Sequence, residues 1–242
     1  MDRTIDMTSA RALVASEFLW PRVRAFLWDF APQIHSSRMD EEKAKSADGA
    51  FARATEMMRD ASHAVSIRAK RFILNTFGVE PVFHDFPKED GSRLALLDSN
   101  TLEKIAKWIG AIVCEKWLRK ITSAKEVRAY KEALPGIYPE VFGYTMYFGA
   151  KAEEENKAAS QEELEVSGPE DVIFIGYSLL GEKVSKLSAP LVKRFWLKLP
   201  NFCTGAEAEK RRAKIVKAAH KTINLELLMR LLLPEACRVC YS

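Results

Sequence analysis

Hydrophobic residues return every three or four positions through most of the chain, which is the spacing of helices that pack one face on a core. The clearest case is residues 102–118, whose apolar face includes Leu102, Ile105 and Ile109. Pro21 precedes another such stretch and suits the first turn of a helix, where its missing N–H breaks no helical bond. Because the sequence lacks hairpin signals and internal repeats, the pattern predicts an all-α fold, built as a single compact body of about eight helices.

Three capping signals predict helix starts. In each of them, Ser, Thr or Asn is followed three residues later by Glu, so that the two side chains can cap free N–H groups of the first turn. The signals begin at Asn100, Ser123 and Thr204. Gly78 is expected to end one helical segment over residues 51–77, because glycine readily takes the left-handed conformation found after helix ends.

Other apolar stretches fit more than one element. Residues 172–175 are short enough to be a strand, although the acidic residues directly before them favour a helix start. Residues 79–97 predict an irregular or small β element. A leucine-rich helix over residues 222–233 is expected to stop at Pro234.

Composition divides the chain into two helical regions joined by a polar segment. Residues 151–167 combine many glutamates with small and amide residues and contain no aromatic side chain. This composition predicts an acidic linker or a solvated helix. We expect an N-terminal helical region over residues 1–150 and a C-terminal helical region over residues 168–242, packed together as one domain.

Charge and hydropathy narrow the class of protein. The 242-residue chain has a formal net charge of +4 and is 48% hydrophobic, a globular balance that is less basic than that of a dedicated nucleic-acid binder. Asp2 and Asp6 lie where a secretory signal would be basic, and the apolar runs are shorter than a membrane span. We therefore expect a cytoplasmic protein without direct membrane insertion.

Motifs for catalysis and cofactor binding are missing from the sequence. It contains no glycine-rich nucleotide loop, no nucleophile elbow and no histidine pair at metal-binding spacing. His84 and Asp85 have the order of a base and its orienting partner, but no nucleophile can be assigned beside them, so a locally bonded histidine is favoured. We expect no catalytic residue and no cofactor.

The cysteines offer one further candidate for chemistry. Cys237 and Cys240 form a CxxC pair, and Cys203 is the third ligand that the same half of the chain offers. A zinc site needs more ligands, and a redox pair usually opens a helix, whereas this pair follows one. Two small apolar residues that pack the end of the chain are the favoured interpretation, so no metal is expected.

A basic helix is predicted over residues 210–221, with Lys210, Arg211 and Arg212 at its start. Its charge would suit the phosphates of nucleic acid or lipid, or an acidic protein surface. It contains no Phe, Tyr or Trp on which a base could stack. A solvated structural face is favoured over an interaction face, and nucleic-acid binding remains the alternative function.

Three blocks of sequence have an order and spacing that can be compared with known families. The first, residues 30–39, reads Phe-Ala-Pro-Gln-Ile-His-Ser-Ser-Arg-Met; the second spans residues 93–134; the third joins residues 176–180 to residues 194–200. Together they resemble the SctK family (also called YscK, PscK or MxiK) of the type III secretion sorting platform. The acidic residues 151–167 and the CxxC tail do not belong to the family pattern.

The resemblance implies a non-enzymatic adaptor without a cofactor, peripheral to the inner membrane through the secretion apparatus. Proteins of this family lie between the cytosolic domain of the inner-membrane ring protein SctD and the pod protein SctQ, with SctL and the SctN ATPase as indirect partners. Nucleic acid is not an expected partner. The candidate partner-binding residues are Ile34, His35, Ser37, Arg38, Arg194, Trp196, Lys210, Arg211 and Arg212.

Overall fold

The computed structural model describes residues 16–60, 63–80, 86–87, 91–144, 166–218 and 223–241. Across these residues all regular structure is helical and no strand occurs, which confirms the predicted all-α fold. The described α-helices outnumber the eight expected. They are α1 (Trp20–Trp28), α2 (Ser36–Lys45), α3 (Ala50–Asp60), α4 (His63–Thr76), α5 (Ser99–Val113), α6 (Glu115–Leu118), α7 (Ala124–Ala133), α8 (Pro169–Val184), α9 (Ala189–Leu197), α10 (Ala206–Ala218), α11 (Leu225–Leu232) and α12 (Pro234–Tyr241).

The helices group into two compact units, and each unit combines segments that are distant in sequence. The first unit consists of Met1–Ser99, Val184–Asn201 and Val239–Ser242, and the second of Asn100–Lys183 and Phe202–Arg238. The chain therefore enters both units more than once, instead of forming one unit before and one after the acidic segment. Most of that segment lies outside the described residues.

In the first unit, α3 and α4 replace the one helical segment expected over residues 51–77. The two helices pack along each other, with the rings of Phe51 and Phe77 edge to face at 6.0 Å between centroids. Because the chain folds back in this way, Phe51 and Ile73 are buried in the same core. In one straight helix, about half of the apolar face would be exposed to water. The predicted stop is correct, since Gly78 follows α4 with a φ of +57°.

A buried 3-10 helix, Ser92–Leu96, occupies the part of residues 79–97 for which an irregular or β element was expected. All five of its residues are buried, and it packs against α1 and α9. Such a short helix leaves carbonyl groups without helical partners, so a buried one needs donors from elsewhere. One such donor, described below, is the side chain of Lys198, which bonds to the carbonyl oxygens of Ala95 and Leu97.

In the second unit, α5 and α8 cross with their backbones in contact at two glycines. A Cβ added to Gly110 would lie 1.9 Å from the carbonyl oxygen of Val172, and one added to Gly176 would lie 1.7 Å from that of Ala106. Only glycine permits so close an approach of two helices. Residues 172–175 are part of α8, so the helical alternative for this stretch is the correct one.

Helix starts agree with the capping signals to within one or two residues. Ser123 is the N-cap of α7, as predicted, although its side chain makes no capping hydrogen bond. The helix predicted to start at Asn100 begins at Ser99, and the one predicted to start at Thr204 begins at Ala206.

The C-terminal end of the chain contains one helix more than expected. The helix α11 ends before Pro234, as predicted, and starts where the Asn224 side chain accepts a hydrogen bond from the Leu227 N–H at 3.0 Å. Pro234 then begins α12, because a proline that stops one helix also suits the first turn of the next. Among the described residues, no helix combines the length and apolar character needed to cross a membrane.

Candidate partner-binding site

The first predicted contact segment, residues 34–38, lies at the start of α2 and is fixed by local hydrogen bonds. His35 is the N-cap: its Nδ1 accepts a hydrogen bond from the Ser37 N–H at 3.2 Å. The backbone N–H of His35 also donates to the carbonyl oxygen of Leu197 at 2.9 Å. Ile34 is buried beside it. These residues therefore shape the entry into α2.

Arg38 and Ser37 bind the turn that follows α9, residues 197–201, here called the α9 turn. The Arg38 Nε donates to the carbonyl oxygen of Leu199 at 2.8 Å, and its Nη2 donates to that of Pro200 at 3.2 Å. The Ser37 Oγ accepts a hydrogen bond from the Asn201 N–H at 3.0 Å. Carbonyl groups outside regular structure need such donors, so Arg38 fastens the turn just beyond the last residue of α9.

Arg194, a predicted surface anchor, points inward instead. Only 3% of the residue is exposed. Its guanidinium donates to the carbonyl oxygens of Phe26, Leu27 and Glu80, which joins the end of α1 to the segment after α4. Burial lowers the pKa of Arg194 to about 10. As a direct partner contact it would need to be exposed, so its position is that of a structural residue.

Trp196, the other predicted anchor on α9, is half-buried. Its ring lies edge to face against Phe195, at 5.6 Å between centroids. Part of the indole remains at the surface, so Trp196 keeps the geometry of a contact residue.

Lys198 is a buried cation that sequence analysis did not single out. It is 1% exposed, and its Nζ donates to the carbonyl oxygens of Ala95 at 2.7 Å and Leu97 at 3.0 Å. Burial, opposed by the charge of Asp98 and aided by the smaller effect of Arg194, lowers its pKa to about 7. The sequence did contain a signal for this. Lys198 follows the buried Phe195 by three residues, so both are expected on the same side of the helix, and a lysine is seldom found on a buried side.

The basic helix α10 is bound to its own unit through its arginines. The Arg211 guanidinium pairs with Asp171 and lies over the Phe174 ring, 4.7 Å from its centroid. Burial raises the pKa of Asp171, but the hydrogen bonds from Arg211 and the backbone N–H of Ser167, together with the charge of Arg211, hold that pKa below its usual value. Arg212 donates to the carbonyl oxygen of Cys203 at 2.7 Å. The arginines thus position α10.

Lysines form the exposed face of α10. Lys210, Lys214 and Lys217 are all exposed, and the nearest carboxylate to Lys210 is that of Glu207, at 3.7 Å in a solvated pair. Such a pair contributes little to stability. Of the predicted residues on this helix, Lys210 is therefore the one that a partner can reach most freely.

The two sets of predicted residues belong to different units. Residues 34–38, Arg194 and Trp196 lie in the first unit, where residues 34–38 contact the α9 turn, and residues 210–212 lie in the second unit. The structure thus assembles one cluster from two distant parts of the sequence and leaves the basic helix as a second surface.

The cysteines of the CxxC pair are one turn apart on α12. Cys240 is buried and Cys237 is half-buried, and Cys203 is buried as well. In the described part of the chain, no three His, Cys, Asp or Glu residues come together as a group that could hold a metal ion. His84 and Asp85 lie outside the described residues.

The chain was compared with family models, with curated proteins and with solved structures. None of the three comparisons finds a match. The resemblance to the SctK family therefore depends on the three sequence blocks.

Proposed function

We propose that the protein is a non-enzymatic adaptor of a bacterial type III secretion sorting platform that bridges an SctD-like ring protein and an SctQ-like pod protein. The observation that supports this most is that the blocks resembling the family contact one another. Arg38 of the first block bonds to Leu199 and Pro200 of the third. Gly110 of the second block and Gly176 of the third lie at one helix crossing.

These contacts between the blocks support the resemblance. If the resemblance arose by chance, the matching residues would have no reason to contact one another in the fold. Here the matching residues include those on which the fold depends: an arginine that fastens the α9 turn and a glycine-mediated helix crossing. The blocks are therefore coherent as the pattern of one fold. We propose the function that this pattern implies. In that role the protein lies on the cytoplasmic side of the inner membrane, and SctL and SctN are its indirect partners.

An adaptor needs two contact surfaces, and the two-unit organisation supports this role. The first unit carries the cluster around the α9 turn with the half-exposed Trp196, and the second carries the lysine face of α10. Charged surfaces orient partners and raise association rates more than they raise affinity. Each unit therefore offers a face on which one partner can dock.

Reconstitution from purified components tests the bridging role. The chain is mixed with the SctQ-like protein and the cytosolic domain of the SctD-like protein from the same cell, and complexes are separated by size-exclusion chromatography with light scattering. We expect a ternary complex, and no complex of the two partners when the chain is left out. Failure of the chain to bind either partner would contradict the proposal.

The lysine face of α10 favours one alternative function, nucleic-acid binding. Lys210, Lys214 and Lys217 are exposed on one face of α10, where they can reach phosphates. Titration of labelled DNA and RNA at several salt concentrations separates the two functions. An affinity that falls steeply with salt, and that Lys210→Glu with Lys214→Glu abolishes, would favour the nucleic-acid function. The adaptor proposal predicts only weak binding.

A further inference from the structure

An open groove of about 900 Å³ separates α1 and α4 in the first unit. Its apolar lining includes Leu27 and Leu74, and the rings of Trp20 and Trp28 meet there edge to face at 5.7 Å between centroids. Its size lies within the range of binding sites in proteins, about 300–1,000 Å³. The groove is therefore large enough to hold several side chains of a partner.

Apolar side chains in this groove are unusually exposed. Trp28 is 62% exposed and Ile67 is 44% exposed, and both line the groove. Single exposed apolar residues are common on protein surfaces, but several that line one concavity mark an interaction site. Tryptophan and arginine are also the residues that contribute most often to binding energy at interfaces.

The charge of the groove is strongly one-sided. Its lining contains Arg24, Lys70, Arg71 and Arg194, but Asp29 is its one carboxylate. Asp29 is already paired with Lys70 at 2.9 Å. Across the described residues, no carboxylate forms an ion pair with the exposed Arg24 or Arg71, whereas the buried Arg194 guanidinium is turned to backbone carbonyl oxygens. The groove thus presents unneutralised positive charge beside exposed apolar surface.

We infer that this groove binds an amphipathic helix of a protein partner, with large apolar residues on one face and Asp or Glu beside them. A small anion would neutralise the arginines but leave Trp28 and Ile67 in water. The nine residues of α1 extend over about 13 Å, which matches two to three turns of a helix lying alongside. Partner carboxylates would then reach Arg24 and Arg71 as the apolar face covers Trp28.

The inference depends on the groove alone and not on the secretion role. It is tested with the full chain and three designed helical peptides of about 15 residues. One peptide has a Leu and Phe stripe flanked by Glu, the second has the same stripe flanked by Lys, and the third has the Glu residues without the stripe. Fluorescence anisotropy measures binding of each, and hydrogen exchange locates the bound peptide.

We expect saturable binding of the first peptide only, with protection from exchange in α1 and α4. The charge reversals Arg24→Glu and Arg71→Glu together, and separately Trp28→Ala, should each weaken binding about tenfold. Matched control variants are Arg68→Glu and Phe72→Ala on α4, at residues that are exposed but do not line the groove. They should change the affinity less than twofold.

Three results of the peptide experiments would each overturn the inference. They are no saturable binding of the Glu-flanked peptide, equal binding of the Lys-flanked peptide, and equal losses in the groove variants and the control variants. Self-association of the chain that Trp28→Ala abolishes would also overturn it, because a second copy would then be the occupant. Reconstitution with the secretion partners uses the unaltered chain, so the two proposals can fail separately.

Discussion

Long cationic side chains join irregular backbone segments in the first unit. Arg38, Arg194 and Lys198 each donate to two or more carbonyl oxygens from other parts of the chain, and Arg93 donates to the carbonyl oxygen of Phe86 at 2.8 Å. Hydrogen bonds from charged donors are stronger than neutral ones, and a buried carbonyl that loses its donor is costly. The stability of this unit should therefore depend on these side chains individually.

Arg38→Ala tests that dependence at the candidate site. The substitution leaves the carbonyl groups of Leu199 and Pro200 without their donor, so we expect the free energy of unfolding to fall by about 2 kcal/mol in urea denaturation. Arg68→Ala is the matched control, because Arg68 is exposed on α4, and it should change stability by less than about 0.5 kcal/mol. Equal effects of the two substitutions would mean that Arg38 does not fasten the α9 turn.

Lys198 should make stability depend on pH. Its pKa of about 7 in the folded protein is far below the value of about 10.4 for an unfolded lysine. Between these values the unfolded chain binds more protons, so the free energy of unfolding rises with pH, by up to about 1.4 kcal/mol per pH unit. Below pH 7 this contribution is constant.

Lys198→Met removes the titrating group and should flatten the rise. Urea denaturation at pH 7, 8 and 9 measures the slope for both proteins, and Lys210→Met, a change at an exposed lysine, is the control that should keep the slope of the unaltered chain. Parallel pH profiles for Lys198→Met and the unaltered chain would show that Lys198 is not buried in this way.

The inward position of Arg194 and Lys198 shows why sequence alone predicted the candidate site only in part. Charge in a sequence favours a solvent-facing position, yet long side chains can cross a core and end on backbone carbonyls. The carbonyls that bind them belong to Phe26, Glu80 and Ala95, more than 100 positions away in sequence. No local pattern contains that information, whereas the exposure of Lys210 followed directly from its polar helix face.

At the scale of elements, the crossing of α5 and α8 in the second unit leaves no room for a Cβ atom at its two glycines. Gly176→Ala would place a methyl group within 1.7 Å of the Ala106 carbonyl oxygen, so the helices must separate. We expect a loss of about 3 kcal/mol in the free energy of unfolding. Thermal and urea denaturation measure it.

Gly143→Ala is the matched control for this crossing. An added Cβ at Gly143 meets no atom within 4 Å, so the substitution should be neutral or slightly stabilising. If Gly176→Ala were as stable as Gly143→Ala, the close backbone approach would be wrong, and with it the contact between the second and third sequence blocks.

The all-α class was predictable because the helical period of apolar residues is a local property, as in α5. The hairpin of α3 and α4 was not, because residues 51–77 contain no proline or glycine to mark the reversal. The helix α12 was missed for the opposite reason. Pro234 was interpreted only as a stop, although the same residue begins the next helix.

At the scale of the molecule, two compact units interleave in sequence, and each carries a distinct charged surface. The first has the groove between α1 and α4 and the cluster at the α9 turn, and the second has the lysine face of α10. The division was not predictable from composition, which predicts an acidic linker or a solvated helix over residues 151–167 between regions packed as one domain. Pairing of distant segments depends on tertiary contacts such as that of Arg38 with the α9 turn.

Co-purification from the native cell tests the central claim most directly. The chain carries a tag at its chromosomal locus, and mass spectrometry identifies the proteins that remain bound after crosslinking, with an unrelated tagged cytoplasmic protein as the control. The account predicts enrichment of SctQ-like and SctD-like proteins, with SctL-like and SctN-like proteins enriched less. Recovery of nucleic acid or of unrelated proteins, without either the ring or the pod protein, would contradict it.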